Sequence, residues 1–236
     1  MQATSADAAE IARFDRLAGG WWNPEGPMRP LHRMNALRVG WIAARVGRHF
    51  PEQKAVRLLD VGCGAGLASE ALARCGYSVL GLDPSASLIG AAEAHAAGRG
   101  LPLHYRVGLP EQLLEEDARF TVISALEVIE HVAEPAHFLA TLAGLLVPGG
   151  LLFLSTINRT LKSLLIAKVG AEYVLRLLPP GTHDWQRFVP PADMARLLGG
   201  VGLRLADVAG MRFDPFCRTW RESRDLSVNY ILMAGG

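Results

Sequence analysis

An α/β fold built on a mostly parallel sheet follows from three features of this 236-residue sequence. Short apolar runs alternate with helical segments between residues 56 and 156. The first run ends in a glycine-rich turn, Asp60-Val61-Gly62-Cys63-Gly64-Ala65-Gly66, directly before a helix. The second run ends on a carboxylate, Asp83, ahead of Pro84. Strands joined through helices pair in parallel, so helices cover both faces of the sheet.

The elements follow in chain order. Residues 5–18 read as a helix, with Ala8, Ile11, Ala12, Phe14 and Leu17 as its apolar positions. A turn-rich aromatic stretch from Gly19 to Pro27 contains Trp21-Trp22, and a second helix is expected from about Pro30 to Arg48. Residues 1–50 thus form an N-terminal helical lid. Val56 to Val61 is a buried strand, Leu67 to Arg74 a helix and Ser78 to Asp83 a second strand. Ser85 N-caps an alanine-rich helix reaching Ala97. Leu103 to Val107 and Phe120 to Ala125 are strands three and four. Ala136 to Leu146 is a helix closed by Pro148-Gly149-Gly150, and Leu151 to Thr156 is strand five. The alternation then breaks for an insertion at 158–190, expected to be helical in its first half. Asp193 to Leu198 is helical again. Leu203 to Val208 and Ser227 to Met233 are the last two strands, joined by a long irregular connection over Gly210 to Asp225. One domain is expected over residues 1–236.

Composition narrows the function. With 24 basic and 23 acidic residues the formal net charge is +1, so no global field draws nucleic acid. Cys63, Cys75 and Cys217 have neither metal nor disulfide spacing, and the expected compartment is the cytoplasm. The polar start, Met1 to Glu10, lacks a secretory pattern. Lys162, Lys168, Glu172 and Arg176 interrupt the apolar stretch Leu161 to Leu178, which argues against a membrane span.

The glycine turn is the chemical centre of the sequence. Glycines let the backbone approach a ligand, and the N–H groups at the start of the following helix face it. Gly62-x-Gly64-x-Gly66 brings its third glycine one residue earlier than a dinucleotide fingerprint does, which suits a nucleoside joined to an amino acid rather than a pyrophosphate. Asp83 can accept both ribose hydroxyls or serve as a turn and cap residue. Asp60 can face an amino group or bond the loop. Arg38 can hold a carboxylate bidentately. Beyond the fourth strand lies Glu127-Val128-Ile129-Glu130-His131. If these residues make a helical turn, Glu127, Glu130 and His131 share a face, able to take a proton or hold a divalent ion. In the insertion, Lys168, Glu172 and Arg176 line one helix face. The rest is apolar, as a packed lid or an interfacial helix requires. His183-Asp184 offers a further base pair or only turn chemistry.

The glycine turn, Asp83 and Leu146-Val147-Pro148-Gly149-Gly150 together resemble the class I methyltransferase family. That resemblance implies a Rossmann-like seven-stranded sheet with the last strand antiparallel, and S-adenosylmethionine as cofactor. A narrower resemblance covers nearly the whole chain. It is carried by Trp21-Trp22, the stretch Pro30 to Arg38, Gly81-Leu82-Asp83, Glu127 to His131, Ser155 to Arg159, Val169 to Tyr173, Pro180 to Asp184 and Val228-Asn229-Tyr230. These stretches are similar to the ubiquinone biosynthesis O-methyltransferases. The resemblance implies two O-methylations, on a 2-polyprenyl-6-hydroxyphenol and on 3-demethylubiquinol. It places Arg38, Gly62, Asp83 and Leu126 at the cofactor, with Leu126 standing where methionine is frequent, and the glycine turn itself adds Asp60, Gly64 and Gly66. It makes Glu127, Glu130 and His131 catalytic and, from eukaryotic relatives, ligands of a divalent metal such as magnesium. It also implies peripheral membrane contact through 158–184 and association with other ubiquinone-biosynthesis proteins. A quinone-ring C-methyltransferase is the alternative.

Overall fold

The computed structural model describes residues 8–52, 56–164, 187–214, 216–217 and 219–236. In chain order the elements are α1 (Ala8–Asp15), α2 (Arg29–His49), β1 (Arg57–Val61), α3 (Leu67–Arg74), β2 (Ser78–Asp83), α4 (Ala86–Ala96), β3 (Leu103–Val107), α5 (Pro110–Glu115), β4 (Phe120–Leu126), α6 (Pro135–Leu145), β5 (Leu146–Ile157), α7 (Leu161–Ser163), α8 (Pro191–Gly200), β6 (Arg204–Asp214), β7 (Thr219–Ser223) and β8 (Asn229–Gly235). Ser85 caps α4 as expected, its Oγ accepting from Leu88 N at 3.0 Å.

Among the described residues the strands form one sheet in the order β3-β2-β1-β4-β5-β8-β6-β7. The pairs β1–β2, β2–β3, β1–β4 and β4–β5 are parallel. β8 runs antiparallel between β5 and β6. The strand order reverses about β1, so a crevice opens past the carboxyl ends of β1 and β4. Successive residues of each central strand point to opposite faces. Leu59, Ile123, Leu152, Leu154, Tyr230 and Leu232 pack with Phe138, Leu142, Met194 and Leu198 of α6 and α8. Leu58, Val122, Phe153 and Ile231 pack with Met34, Trp41, Ile42 and Leu72 of α2 and α3.

The sheet has one strand more than the sequence suggests. Residues 210–225, expected as an irregular connection, extend β6 to Asp214 and contribute β7, paired antiparallel from Gly210↔Ser223 to Asp214↔Thr219. Charged residues hide the alternation there. The hairpin is held by the Phe213–Trp220 ring pair, with centroids 5.8 Å apart, and by Arg45. That guanidinium lies 3.7 Å over Trp41 and bonds both Asp207 (2.9 Å) and Glu222 (3.2 Å). Two further differences are local: α5 was not foreseen, and β5 begins at Leu146, taking in Pro148-Gly149-Gly150. Of the insertion, residues 165–186 lie outside the described residues. So do Lys168, Glu172, Arg176 and the His183-Asp184 pair. The described part is one turn, α7, capped by Thr160.

Two glycines test this packing in opposite directions. A Cβ on Gly210 would stand 1.9 Å from the Asp225 carbonyl oxygen, where β6 passes the loop into β8. Gly210→Ala should therefore cost about 2 kcal/mol or more in urea unfolding. Gly40, in the middle of α2, has nothing within 4 Å of its Cβ position. Gly40→Ala should stabilise by about 0.5–1 kcal/mol in the same measurement.

Candidate active site

The turn after β1 is a cradle that only glycine can build. Gly62, Gly64 and Gly66 have φ of +65°, +55° and +87°. Space is as strict as conformation. A Cβ would lie 2.5 Å from Val128 Cγ2 at Gly62, 2.4 Å from Trp21 Cζ2 at Gly64 and 2.0 Å from the Tyr105 hydroxyl at Gly66. The turn is tied to β2 through Gly62 N and Cys63 N, which both donate to the Leu82 carbonyl at 2.8 and 3.2 Å.

Asp83 completes that tie. Its Oδ2 accepts from Gly64 N and its Oδ1 from Ser85 N, each at 2.9 Å. The glycine turn and the acid therefore share one crevice. Burial raises the Asp83 carboxyl above the usual carboxylate range, and the two N–H donors oppose this. Each carboxylate oxygen keeps a second acceptor site for a ligand hydroxyl.

Asp60 lies beneath the turn, buried. Ser69 Oγ donates to its Oδ2 at 2.6 Å and Ser124 Oγ to its Oδ1 at 2.7 Å. Desolvation raises its carboxyl, against those hydroxyls and nearby Arg38. The Arg38 guanidinium is also buried. Desolvation weakens its hold on the proton, and the charges of Glu127 and Asp60 oppose this in part. Arg38 Nη1 stands 3.9 Å from Glu127 Oε1. Arg38 Nε, Asn35 Oδ1 and Trp21 Nε1 are buried and find no hydrogen-bond partner among the described residues. Unpaired buried polar atoms beside a glycine cradle are what a bound polar ligand satisfies. Leu126 ends β4, in register with Ser155 of β5.

The segment after β4 departs from the expected helical turn. Glu127 takes a left-handed φ of +58°, and only Ile129–His131 form a turn, of the 3-10 kind. Glu127, Glu130 and His131 therefore do not share one helical face. Glu127 Oε1 accepts from Ser155 Oγ at 2.6 Å, and Glu130 Oε2 from Thr156 Oγ1 at 2.8 Å. Among the described residues no three His, Cys, Asp or Glu side chains are gathered as a metal site needs. The set as placed does not fit a divalent ion, and no step below is routed through one. What the set does provide is a proton-handling group. Burial, then the charge of Glu127, pushes the Glu130 carboxyl up to about 7, while His131 and the Thr156 hydroxyl pull it back.

The N-terminal segment closes over this crevice. Trp21 lies on Gly64, and Trp22 Nε1 donates to the Ala65 carbonyl at 2.9 Å. The Trp22 ring stacks on His95 at 3.3 Å. Phe14 packs edge-on against both Trp21 (6.4 Å) and His131 (5.3 Å), so the turn and His131 border one space. Asp15 accepts from Ser85 Oγ and Ser87 Oγ, just past Asp83. The sequence gives Phe14, Asp15, Ser124 and Tyr105 no role at the site. Trp21-Trp22, Asn35, Ser155 and Thr156 enter it only as parts of motifs. For Ser155 and Thr156 the one further signal is position, since they sit near the carboxyl end of β5.

A family model described as a methyltransferase domain matches residues 31–208. Solved structures give the same fold. Magnesium protoporphyrin IX methyltransferase from Synechocystis, with bound SAH, aligns with a TM-score of 0.64 at 22% identity, covering 96% of this chain and 94% of that one. The cyclase SpnF aligns at 0.65 and 16% identity, covering 99% and 97%, so the fold by itself does not fix the reaction. Two relatives named ubiquinone biosynthesis O-methyltransferase are far more similar in sequence. That of Methylobacterium nodulans is 45% identical, over 98% of this chain and 95% of its own length. That of Caulobacter vibrioides is 44% identical, over 97% and 94%. The cradle, the acid beside it and this likeness along nearly the whole length place the chain in the ubiquinone biosynthesis O-methyltransferase family.

Proposed function

We propose that this protein transfers a methyl group from S-adenosylmethionine to a phenolic oxygen of a polyprenylated catechol-type ring, and to the corresponding oxygen of demethylubiquinol. The observation that carries the reading is the 2.9 Å bond between Gly64 N and Asp83 Oδ2, which makes one nucleoside crevice bordered by His131. The names of the relatives support the substrate class.

S-adenosylmethionine, when bound, supplies an electrophilic methyl group on a sulfonium. The protein's residues do the rest. The glycine turn, Asp83 and Leu126 hold the nucleoside end, and Arg38 holds the carboxylate. Fixing the attacking oxygen in line with the methyl group supplies most of the acceleration. A phenol of pKa about 10 costs about 4 kcal/mol to ionise at pH 7. His131 takes that proton, and Glu130, buried next to it, favours the resulting imidazolium. A divalent ion at Glu127, Glu130 and His131 would require Glu127 to turn from Ser155 and Arg38. The N-terminal segment is the lid that excludes water from the reacting atoms.

No helix among the described residues is long and apolar enough to cross a membrane. A polyprenyl substrate resides in the bilayer, so we place the enzyme at the cytoplasmic membrane surface, touching it through 158–184. We further propose that other ubiquinone-biosynthesis proteins hand it substrate there. NMR of the product of a short-chain catechol, which distinguishes a methoxy from an aryl-methyl carbon, separates O-methylation from the ring C-methylation alternative.

Asp83→Ala should weaken S-adenosylhomocysteine binding about 100-fold by calorimetry, matching two lost charge-assisted bonds, with a smaller change in the saturated rate. His131→Ala should slow turnover about 100-fold or more and leave that affinity within threefold; a large affinity loss would remove His131 from the proton step. Glu130 carries a pH signature. Its carboxyl is raised from 4.5 to about 7 in the fold, so the folded chain holds the proton more tightly than the unfolded one across that window. Stability therefore falls as pH rises from about 4.5 to 7. In Glu130→Gln this loss disappears, and the variant's melting temperature at pH 8 should exceed that of the unmodified chain by on the order of 5 °C.

A further inference from the structure

We propose that Asn35 is a specificity-determining residue for the methyl donor. Its carboxamide oxygen receives the donor's α-ammonium group, while Arg38, one turn further along α2, receives the α-carboxylate. This assignment rests on the methyltransferase reading and adds to it a residue with which the donor is told from other adenine nucleosides.

The argument begins with the orientation of the amide. Asn35 Nδ2 donates to the carbonyl of Leu67 at 2.9 Å. Leu67 is the first residue of α3, directly after Gly66. Flipping the amide would set oxygen against oxygen, so the bond fixes Oδ1 as the acceptor left over. Asn35 is 8% exposed, and its Oδ1 has no partner among the described residues. Arg38, at i+3 on the same helix, is 3% exposed, and its Nε likewise has none. Its approach to Glu127, at 3.9 Å, is too long for a hydrogen bond. Two polar side chains on adjacent turns are thus buried against the glycine cradle with unspent capacity, which a fold avoids unless a ligand uses it.

The chemistry of the pair selects the ligand. One neutral acceptor beside one cationic donor complements an ammonium beside a carboxylate, as at an amino-acid α-carbon. Asp60 already carries one hydroxyl bond on each oxygen, from Ser69 and Ser124. Asn35 Oδ1 carries none, so the direct contact falls to it.

The test is calorimetry on the full chain with three probes: S-adenosylhomocysteine, its analogue lacking the α-amino group, and 5′-methylthioadenosine, which lacks the whole amino-acid arm. The unmodified chain should bind S-adenosylhomocysteine at least tenfold more tightly than the deaminated analogue. Asn35→Leu should weaken S-adenosylhomocysteine about tenfold and leave the other two probes within twofold. Equal loss for all three probes in the variant would reduce Asn35 to a tie between α2 and α3 and overturn the proposal. Equal affinity of the unmodified chain for the first two probes would overturn it without any variant, so a misfolded Asn35→Leu does not rescue it. Failure of the unmodified chain to bind any probe would overturn the parent methyltransferase reading and the Asn35 assignment with it.

Discussion

The site depends on a buried carboxylate at the tip of one strand gripping the backbone of the turn that follows its neighbour. Asp83 fixes Gly64 through one oxygen and the start of α4 through the other. Three glycines alternating with Cys63 and Ala65 would otherwise leave the turn freely mobile. The bond, with those from Gly62 N and Cys63 N to the Leu82 carbonyl, fixes the turn to β2, and its cost is a carboxyl held largely out of water. The rest of the crevice is arranged about this point: Tyr105 behind Gly66, Val128 against Gly62 and Trp21 over Gly64.

A second buried charge system lies across the crevice and works differently. Glu130 sits against β5, where burial and then the charge of Glu127 raise its carboxyl more than His131, a backbone N–H and the Thr156 hydroxyl lower it. Asp60 is as deeply buried, but two serine hydroxyls and Arg38 act to keep it ionised. Two carboxylates at comparable depth thus meet different surroundings, one bonded by two serine hydroxyls beneath the glycine turn and one beside another acid.

Much of this was legible in the sequence, for identifiable reasons. Gly62, Gly64, Gly66 and Asp83 could be placed because strand ends and glycines constrain the backbone within a few residues. Leu67–Arg74 and the Ser85 cap were legible because helix ends carry local signals. The failures share a cause. β7 was missed because what makes it a strand is the pairing of Phe213 with Trp220 and the reach of Arg45 from α2, both distant in sequence. The 127–131 turn was read as helical on spacing alone. Its geometry is set by Glu127 meeting Ser155 and by Val128 pressing on Gly62. Asn35 lies within the Pro30 to Arg38 motif, but an asparagine within a helix shows no partner until the start of α3 is laid beside it.

The stacking of Trp21 on Gly64 has a kinetic corollary. A donor that has surrendered its methyl group keeps its adenosine and its amino-acid arm, so the cradle holds it almost as firmly as before. Across its exit lie one indole against Gly64, a second stacked on His95, and Asp15 bonded to two serines. Those contacts make no distinction between one phenolic substrate and another. Two successive methylations of different rings would then share a single ceiling on turnover, set by how fast the segment from Phe14 to Trp22 parts from the crevice.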